Sequence, residues 1–238
     1  MATNEPAAES PPPGRPVSWR DQAVARSLDS ARVRAEKRVQ RFLDAALELM
    51  NSDSGREFTV QEVVERSGQS LRSFYQYFAG KHELLLALFE ESVRATAERL
   101  EELIAREDDA LARLRRFTVE YHRLCRPTPA GKVRAGKAAP TPAMADFAQR
   151  LLTEHPKEAA QAFVPLVSLL ERVLDEAAAA GAVRPGLHHR RIAGIVLQAI
   201  SFDAFSSTIS GSSVRAGGGA GADDLWDLLL HGVGAEGT

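Results

Sequence analysis

Apolar residues recur every three or four positions along most of the chain. The first clear stripe begins near Ala31 and predicts an amphipathic helix that ends by Gly55. Its apolar positions are Val39, Phe42, Leu43, Ala46, Leu47 and Met50. No alternating pattern is long enough to predict a sheet, and no segment repeats at a fixed period. The pattern therefore predicts an all-α protein.

Two short helices follow the first one. Thr59, with Glu62 three residues later, has the signature of a capping box, and the helix that it starts stops at Gly68. Ser70 can cap a third helix that runs to Phe78. The turn between the two helices, Gly68-Gln69-Ser70, has the length expected in a helix-turn-helix.

The remainder of the chain keeps the helical period. A long helix is predicted from about Lys81, after the break at Gly80. The predicted helices are 81–106, 110–126, 143–154, 157–180, 188–207 and 223–231. A loop rich in Pro, Gly and basic residues is predicted at 127–142, and a flexible linker at 210–222.

The N-terminal residues have a different composition. Residues 1 to about 18 are rich in Ala, Pro, Glu and Ser and are predicted to be disordered, and the arm with its basic end is taken to span residues 1–30. Between Arg15 and Arg41 eight basic residues face three acidic ones, a local excess of +5 that suits a polyanion. The alternative interpretation of this excess of basic residues is a solvated basic tail.

The whole-chain composition narrows the class of protein. With 238 residues and 44% hydrophobic residues the chain can fill a core. No apolar run reaches membrane-spanning length and the N-terminus lacks a signal pattern, so we expect a cytoplasmic protein. Its one cysteine, Cys125, excludes an internal disulfide.

Four of the chain's fifteen aromatic residues lie between positions 74 and 78, within SGQSLRSFYQYFAGK. On a helix, Leu71, Phe74 and Phe78 fall on the inward face, and Phe74 and Phe78 are predicted to be core residues. Tyr75 and Tyr77 fall on the polar face with Arg72, a surface rich in the hydrogen-bond donors that contact DNA. The alternative is a solvated helix whose tyrosines cover neighbouring apolar surface.

These residues also carry a resemblance. The segment from Arg38 to about Leu88, which includes FTVQEVVERSGQSLRSFYQYFAGKHELLLALF, resembles the DNA-binding domain of the TetR family of transcriptional regulators. The matching positions are Thr59, Val60, Ser67, Gly68, Ser70, Ser73, Phe74, Tyr75, Phe78, Lys81 and Leu84. Arg72 stands where many members carry Gly or Pro, so the preferred bases cannot be carried over.

The resemblance implies a set of DNA contacts. It assigns phosphate contacts to Thr59, Tyr75 and Lys81, and groove contacts to Ser70, Leu71, Arg72, Ser73 and Tyr77. Nonspecific attraction would come from Arg34, Lys37, Arg38 and Arg41, and would weaken with salt. An extended arm with Trp19 and Arg20 could reach an adjacent groove.

The resemblance also implies the organisation of the chain. Residues 31–80 would form the helix-turn-helix domain, and residues 81–238 a helical domain that binds a small inducer and dimerises. The helices predicted near 157–180 and 188–207 are apolar on more than one face, which favours a homodimer, with burial in a large monomer core as the alternative. Candidate inducer contacts are Phe117, Tyr121, His122, Phe147, Phe163 and Phe202.

The predicted function is a sequence-specific DNA-binding regulator, a repressor released from a palindromic operator by a small, mainly apolar inducer. An architectural DNA-binding protein without a ligand would share the N-terminal domain. An enzyme is disfavoured: the six histidines form no i, i+4 metal pair and no HExxH, and GGGAGA at 217–222 lacks the GK[ST] of a phosphate loop. No cofactor, catalytic residue or metal site is expected.

Overall fold

A computed structural model describes residues 18–51, 57–126, 142–209 and 220–233. Within these ranges the chain forms α-helices and no β-sheet. The helices are α1 (Trp19–Asn51), α2 (Val60–Ser67), α3 (Leu71–Tyr77), α4 (Lys81–Ile104), α5 (Ala110–Cys125), α6 (Pro142–Glu154), α7 (Pro156–Ala162), α8 (Val164–Ala179), α9 (His189–Ile209) and α10 (Ala220–Val233). The all-α prediction is confirmed. None of the helices in the described ranges is long and apolar enough to cross a membrane.

The chain divides into two compact units, Met1–Arg41 and Phe42–Thr238. In the first unit α1 already begins at Trp19, well before the predicted start near Ala31. The disordered arm predicted for residues 1–30, with its extended Trp19 and Arg20, is therefore wrong for residues 19–30, because this segment holds no Gly or Pro and half of its residues are good helix formers. Arg32 and Glu36 lie one turn apart on this helix and stabilise it through an ion pair, with 2.7 Å between Arg32 Nε and Glu36 Oε1. The disorder predicted for residues 1–17 lies outside the described residues.

In the second unit, α2 and α3 form as their caps predict. Glu62 N–H donates to Thr59 Oγ1 (3.3 Å) and Thr59 N–H donates to Glu62 Oε2 (2.7 Å), which completes the capping box. Gly68 ends α2 with φ 65°, a left-handed conformation that favours glycine. Ser73 N–H donates to Ser70 Oγ (3.1 Å) at the start of α3. The helix-turn-helix prediction is confirmed.

The C-terminal helices pack around α4 and α5. α4 contacts α5, α6, α7 and α8, and α5 contacts α8, α9 and α10. The core between them holds fully buried side chains such as Leu100, Phe117, Leu170 and Ile200. α4 thus runs from the helix-turn-helix into the centre of the helical bundle.

The single helix predicted at 157–180 is two helices. α7 ends at Ala162 and α8 begins at Val164, with Phe163 between them. Pro165 explains the break, because it has no N–H to donate to the carbonyl of Gln161 and its ring crowds the preceding turn. A proline is well tolerated in the first turn of a new helix, where it stands in α8.

The faces of α8 and α9 differ in how they are covered. Leu169, which lies off the main apolar stripe of α8, is buried within its own chain, as are Leu166 and Leu170 on the stripe. The second apolar face of α8 therefore does not require another subunit. On α9, by contrast, Ile195 and Phe202 are exposed, Phe202 to 68%.

Candidate nucleic-acid interface

The outer face of α3 is polar and aromatic. Arg72, Tyr75 and Gln76 are exposed, with Tyr75 57% accessible, and Ser70 lies exposed at the helix start. Leu71 is exposed too, so its predicted place on the inward face is wrong, because it lies in the first turn of α3. Because the Ser70 oxygen only accepts a hydrogen bond from Ser73 N–H, its own hydroxyl proton can still be donated outward. The face thus combines a guanidinium, an amide, a phenol and a hydroxyl.

The inner face of α3 is anchored by aromatic rings. Phe74 is fully buried, and its ring meets that of Phe42 edge to face at 5.4 Å. Phe78 packs at 6.1 Å from Phe42 and 5.4 Å from Phe74. The predicted division of the aromatic cluster, with the phenylalanines in the core, is confirmed. This anchoring holds the outer face of α3 in a fixed orientation.

Ser73 and Tyr77 lie four residues apart on one flank of α3, and both are half-buried. The Ser73 hydroxyl oxygen is buried and has no hydrogen-bond partner among the described residues. The predicted groove contact from this hydroxyl therefore does not agree with the structure, because the flank turns towards the core rather than outward. Tyr77 keeps part of its surface accessible.

Two of the predicted phosphate contacts already have partners. The Thr59 hydroxyl donates to Glu62 Oε2 at 2.9 Å, so its side chain is held at the start of α2. The amide groups of this first turn lack carbonyl partners within the helix, which is the usual geometry for an anion. Lys81 Nζ lies 3.4 Å from Glu57 Oε2 and 4.8 Å from the centre of the Phe58 ring.

Arg38 lies in the part of α1 that belongs to the first unit, where its side chain is exposed. Arg34, Lys37 and Arg41 are also exposed there. This part of α1 is therefore a basic helical surface rather than an extended basic tail.

The six predicted inducer contacts do not surround one cavity. Phe147 and Phe163 both pack on Phe89 of α4, with ring centres at 6.2 and 5.4 Å. Phe117, Tyr121 and His122 are buried on α5. Phe202 is on the outer surface of α9, so the prediction that it lines an interior cavity is wrong for the single chain. The spacing of residues on a helix could not show which of these helices face each other.

The polar groups among these candidates are bonded to α9. Tyr121 Oη is 2.9 Å from Ser201 Oγ, and His122 Nε2 is 3.0 Å from Asp203 Oδ2. Burial raises the pKa of Tyr121 well above its ordinary value. Burial also raises the pKa of the neighbouring Cys125 thiol to about 11. Both groups are therefore neutral structural links between α5 and α9 in the folded chain.

A small gap lies between α5, α8, α9 and α10. Its volume of about 10 Å³ is just enough for one water molecule. Its lining is almost entirely apolar and consists of Leu114, Thr118, Leu170, Leu174, Ile192, Val196, Trp226 and Leu229. None of these residues is among the predicted inducer contacts, because aliphatic residues on amphipathic helices carry no signal that separates a gap from a core.

The capped α2, the short turn and the anchored α3 with its donor-rich outer face define a helix-turn-helix, the motif that places its second helix in the major groove of DNA. Residues 42–88 match the family model described as bacterial regulatory proteins, tetR family. The helix-turn-helix part of the chain is therefore similar to the DNA-binding domain of tetR family regulatory proteins. None of the curated proteins matches it.

Solved structures share the fold. The fatty acid degradation regulator FadR of Bacillus halodurans superposes with a TM-score of 0.60 at 17% identity, over 81% of this chain and 94% of that one. Bacillus subtilis FadR in complex with stearoyl-CoA gives 0.57 at 18% identity, over 80% and 97%. A TetR family regulator from Marinobacter aquaeolei VT8 gives 0.57 at 17% identity, over 86% and 100%.

Proposed function

We propose that this chain is a TetR-family regulator, a dimeric repressor that a small, mainly apolar inducer releases from a palindromic operator. The observation that carries the proposal is the outer face of α3, which holds exposed Arg72, Tyr75 and Gln76 on a helix fixed from behind by Phe74. Cytoplasmic location follows from this function, since the operator lies on the chromosome.

The proposed contacts divide into two kinds. Arg72 can bind a guanine edge with two hydrogen bonds and Gln76 an adenine edge, so these side chains read the sequence. Phosphate contacts come from Tyr75, Lys81 and the N–H groups of Val60 and Gln61 next to Thr59 in the first turn of α2, and they fix the register, while Ser70 and Tyr77 contact the groove. The Leu71 side chain can contact a thymine methyl group. Arg38 and its basic neighbours on α1 supply attraction that does not depend on sequence.

The proposed dimer forms through the uncovered face of α9. Exposed positions Arg191, Ile195, Gln198, Ala199 and Phe202 recur at helical spacing and make one stripe. A symmetric pair of such stripes would bury the exposed Ile195 and Phe202, while α8 supports α9 from within its own chain. The two α3 helices would then read half-sites about 34 to 36 Å apart, or a multiple of one DNA turn.

Release follows from a difference in inducer affinity between two states. α4 starts at Lys81, beside α3, and contacts α5 and α8 further along. An inducer that prefers the state with a different α4 position lowers operator affinity by the ratio of its two affinities, and operator weakens inducer equally. The domain division is proposed as residues 31–80 for DNA and 81–238 for ligand and dimer.

The apolar gap between α5, α8, α9 and α10 is the proposed starting point of the inducer site. Its size requires that these helices separate when the inducer binds, which is a conformational change of the kind that release needs. Bacillus subtilis FadR, which has a similar fold, was solved in complex with stearoyl-CoA, and this supports an apolar inducer for this chain.

The test is binding of the full chain to DNA from upstream of its own gene, measured by fluorescence anisotropy at two salt concentrations. We expect binding roughly a thousandfold tighter than to random DNA of equal length, with two chains per site. Arg72→Ala should relax the preference at one base pair, at a cost of about 1 to 3 kcal/mol, and Tyr75→Phe should weaken binding to all sequences alike. Arg94→Ala, an exposed cation further along α4, is the control and should change neither.

The closed packing of the gap favours a second candidate, an architectural DNA-binding protein without an inducer. That candidate predicts equal, strongly salt-dependent binding to every DNA and no response to any small molecule. Sequence-specific binding that an apolar compound weakens would exclude it.

A further inference from the structure

The fold brings together three metal-ligating side chains that are far apart in the sequence. His82 is in the first turn of α4, His155 lies between α6 and α7, and Glu158 is in the first turn of α7. Glu158 lies between the two imidazoles, with Oε2 2.7 Å from His82 Nε2 and Oε1 3.6 Å from His155 Nδ1. One ligand atom of each residue lies within 4.8 Å of the others.

We propose that His82, His155 and Glu158 form a zinc site with an open fourth position. Two imidazole nitrogens and one carboxylate are a known ligand set for Zn²⁺ with three protein ligands. Zinc bonds of about 2.0 to 2.2 Å at tetrahedral angles place neighbouring ligand atoms about 3.3 Å apart. The two separations across Glu158, 2.7 and 3.6 Å, lie on either side of that value, although they join different carboxylate oxygens. Because the three ligand atoms lie within 4.8 Å of one another, which exceeds about 3.3 Å, zinc binding requires side-chain rotations that bring them closer together around the ion.

The surroundings hold the ligands in place and leave them accessible. The ring of His82 packs on buried Phe147, with ring centres 5.9 Å apart, and Phe147 packs in turn on Phe89. The His155 carbonyl accepts from Ala159 N–H at 3.0 Å, which fixes the start of α7. The side chains of His82, His155 and Glu158 are 41%, 43% and 40% exposed, so an ion and its water can reach them.

The position of the site gives it a regulatory role, which rests on the proposed function. The ion would join the first turn of α4, next to Lys81, to the corner between α6 and α7. A second link runs beside it, since Glu57 lies 3.4 Å from Lys81 Nζ and 3.9 Å from Arg150 of α6. Zinc would therefore favour the one position of α4 in which all three ligands meet, and would change operator affinity through that preference.

The first experiment measures metal binding alone, with the full chain and Zn²⁺ in competition with a chromophoric chelator. We expect one ion per chain, and at least about a tenfold loss of affinity in both His155→Ala and Glu158→Gln, since even outer-sphere changes cost 10- to 100-fold. His188→Ala, an exposed histidine outside the cluster, is the matched control and should bind as the unmodified chain does. Visible absorption with Co²⁺ in place of zinc should show a four- or five-coordinate ion. Equal affinity in His155→Ala, or loss in His188→Ala alone, would overturn the site.

The second experiment measures operator binding with and without Zn²⁺. We expect a change in Kd that His155→Ala abolishes and His188→Ala preserves. Zinc binding with an unchanged operator Kd would overturn the regulatory role and leave the metal site in place. Absence of any operator binding would contradict the proposed function. The chelator titration would still show whether the zinc site exists.

Discussion

At the scale of single residues, the turn of the helix-turn-helix depends on one backbone conformation. Gly68 has φ 65°, and a Cβ added there would meet no atom within 4 Å. The cost of Gly68→Ala is therefore that of the left-handed backbone alone, and we expect a loss of about 1 kcal/mol of unfolding free energy. Urea unfolding at a fixed protein concentration measures it.

Gly194→Ala provides the contrast for this measurement. Gly194 is inside α9, where an added Cβ also meets open space. Alanine there should raise the unfolding free energy by about 0.5 to 1 kcal/mol, because glycine is costly in a helix interior. Equal effects of the two substitutions would show that the backbone at Gly68 is unstrained.

A second prediction concerns Cys125. Burial raises the pKa of its thiol from 9.0 to about 11, so at pH 8 the folded chain should react with a disulfide reagent about 100-fold more slowly than the urea-unfolded chain. The same shift makes the unfolding free energy depend on pH. The neutral buried thiol contributes fully to the unfolding free energy below the ordinary pKa of 9.0, and this contribution is lost as the pH rises from there through about 11. Equal labelling rates in the two states would contradict the assignment.

Residue-level prediction from the sequence succeeded where the signal is local. The caps at Thr59 and Ser70 and the inward Phe74 follow from spacing within one turn. The burial of Ser73 could not be predicted in this way. Which side of a helix is buried depends on the elements that pack against it, and residue spacing does not identify those elements. The contacts of Arg72 and Tyr75 with DNA remain predictions.

At the scale of the element, the start of α2 is a testable feature. Thr59→Ala removes the acceptor of the Glu62 N–H and the partner of its carboxylate, and should cost about 1 kcal/mol. The expected fall in Tm is about 2 to 4 °C for a chain of this size. Thr59→Ser keeps the hydroxyl and should retain most of the stability, so a similar fall in both variants would rule out the cap as the cause.

Element boundaries were predictable where a cap or a glycine marks them. The long helix from Lys81 starts where the break at Gly80 predicts it. The start of α1 was missed because the segment from Trp19 has helix propensity without a regular apolar stripe. The break at Phe163 was missed because the apolar stripe continues across Pro165 without interruption. The apolar pattern around a proline does not show whether a new helix starts there.

At the scale of the whole molecule, the proposed dimer can be separated from the fold. Phe202→Glu places a charge in the proposed interface on α9, and should weaken the dimer by at least about 2 kcal/mol, or roughly 30-fold in its dissociation constant. Sedimentation velocity over a range of concentrations measures this. Leu228→Glu on α10, where the side chain is 70% exposed, is the matched control and should leave the dimer intact. A dimer that survives Phe202→Glu and dissociates in Leu228→Glu would place the interface on α10.

Long-range arrangement was the part that the sequence could not supply. His82 lies on α4 and His155 lies between α6 and α7, so their proximity is set by the packing of α6 and α7 on α4, and nothing in their local spacing indicates it. The same holds for the gap lined from four helices. These features depend on which helix faces meet, and each face carries similar aliphatic residues.

The carboxylate of Glu57 beside Lys81 has a consequence for how the protein finds its operator. A cation that already has an intramolecular counterion releases fewer bound ions from DNA, so it adds little to the attraction that any duplex exerts. Under the proposed function, this pairing would shorten each encounter with a wrong sequence. A phosphate at the proposed operator would replace Glu57 as the partner of Lys81, so this cation would contribute mainly at the correct site.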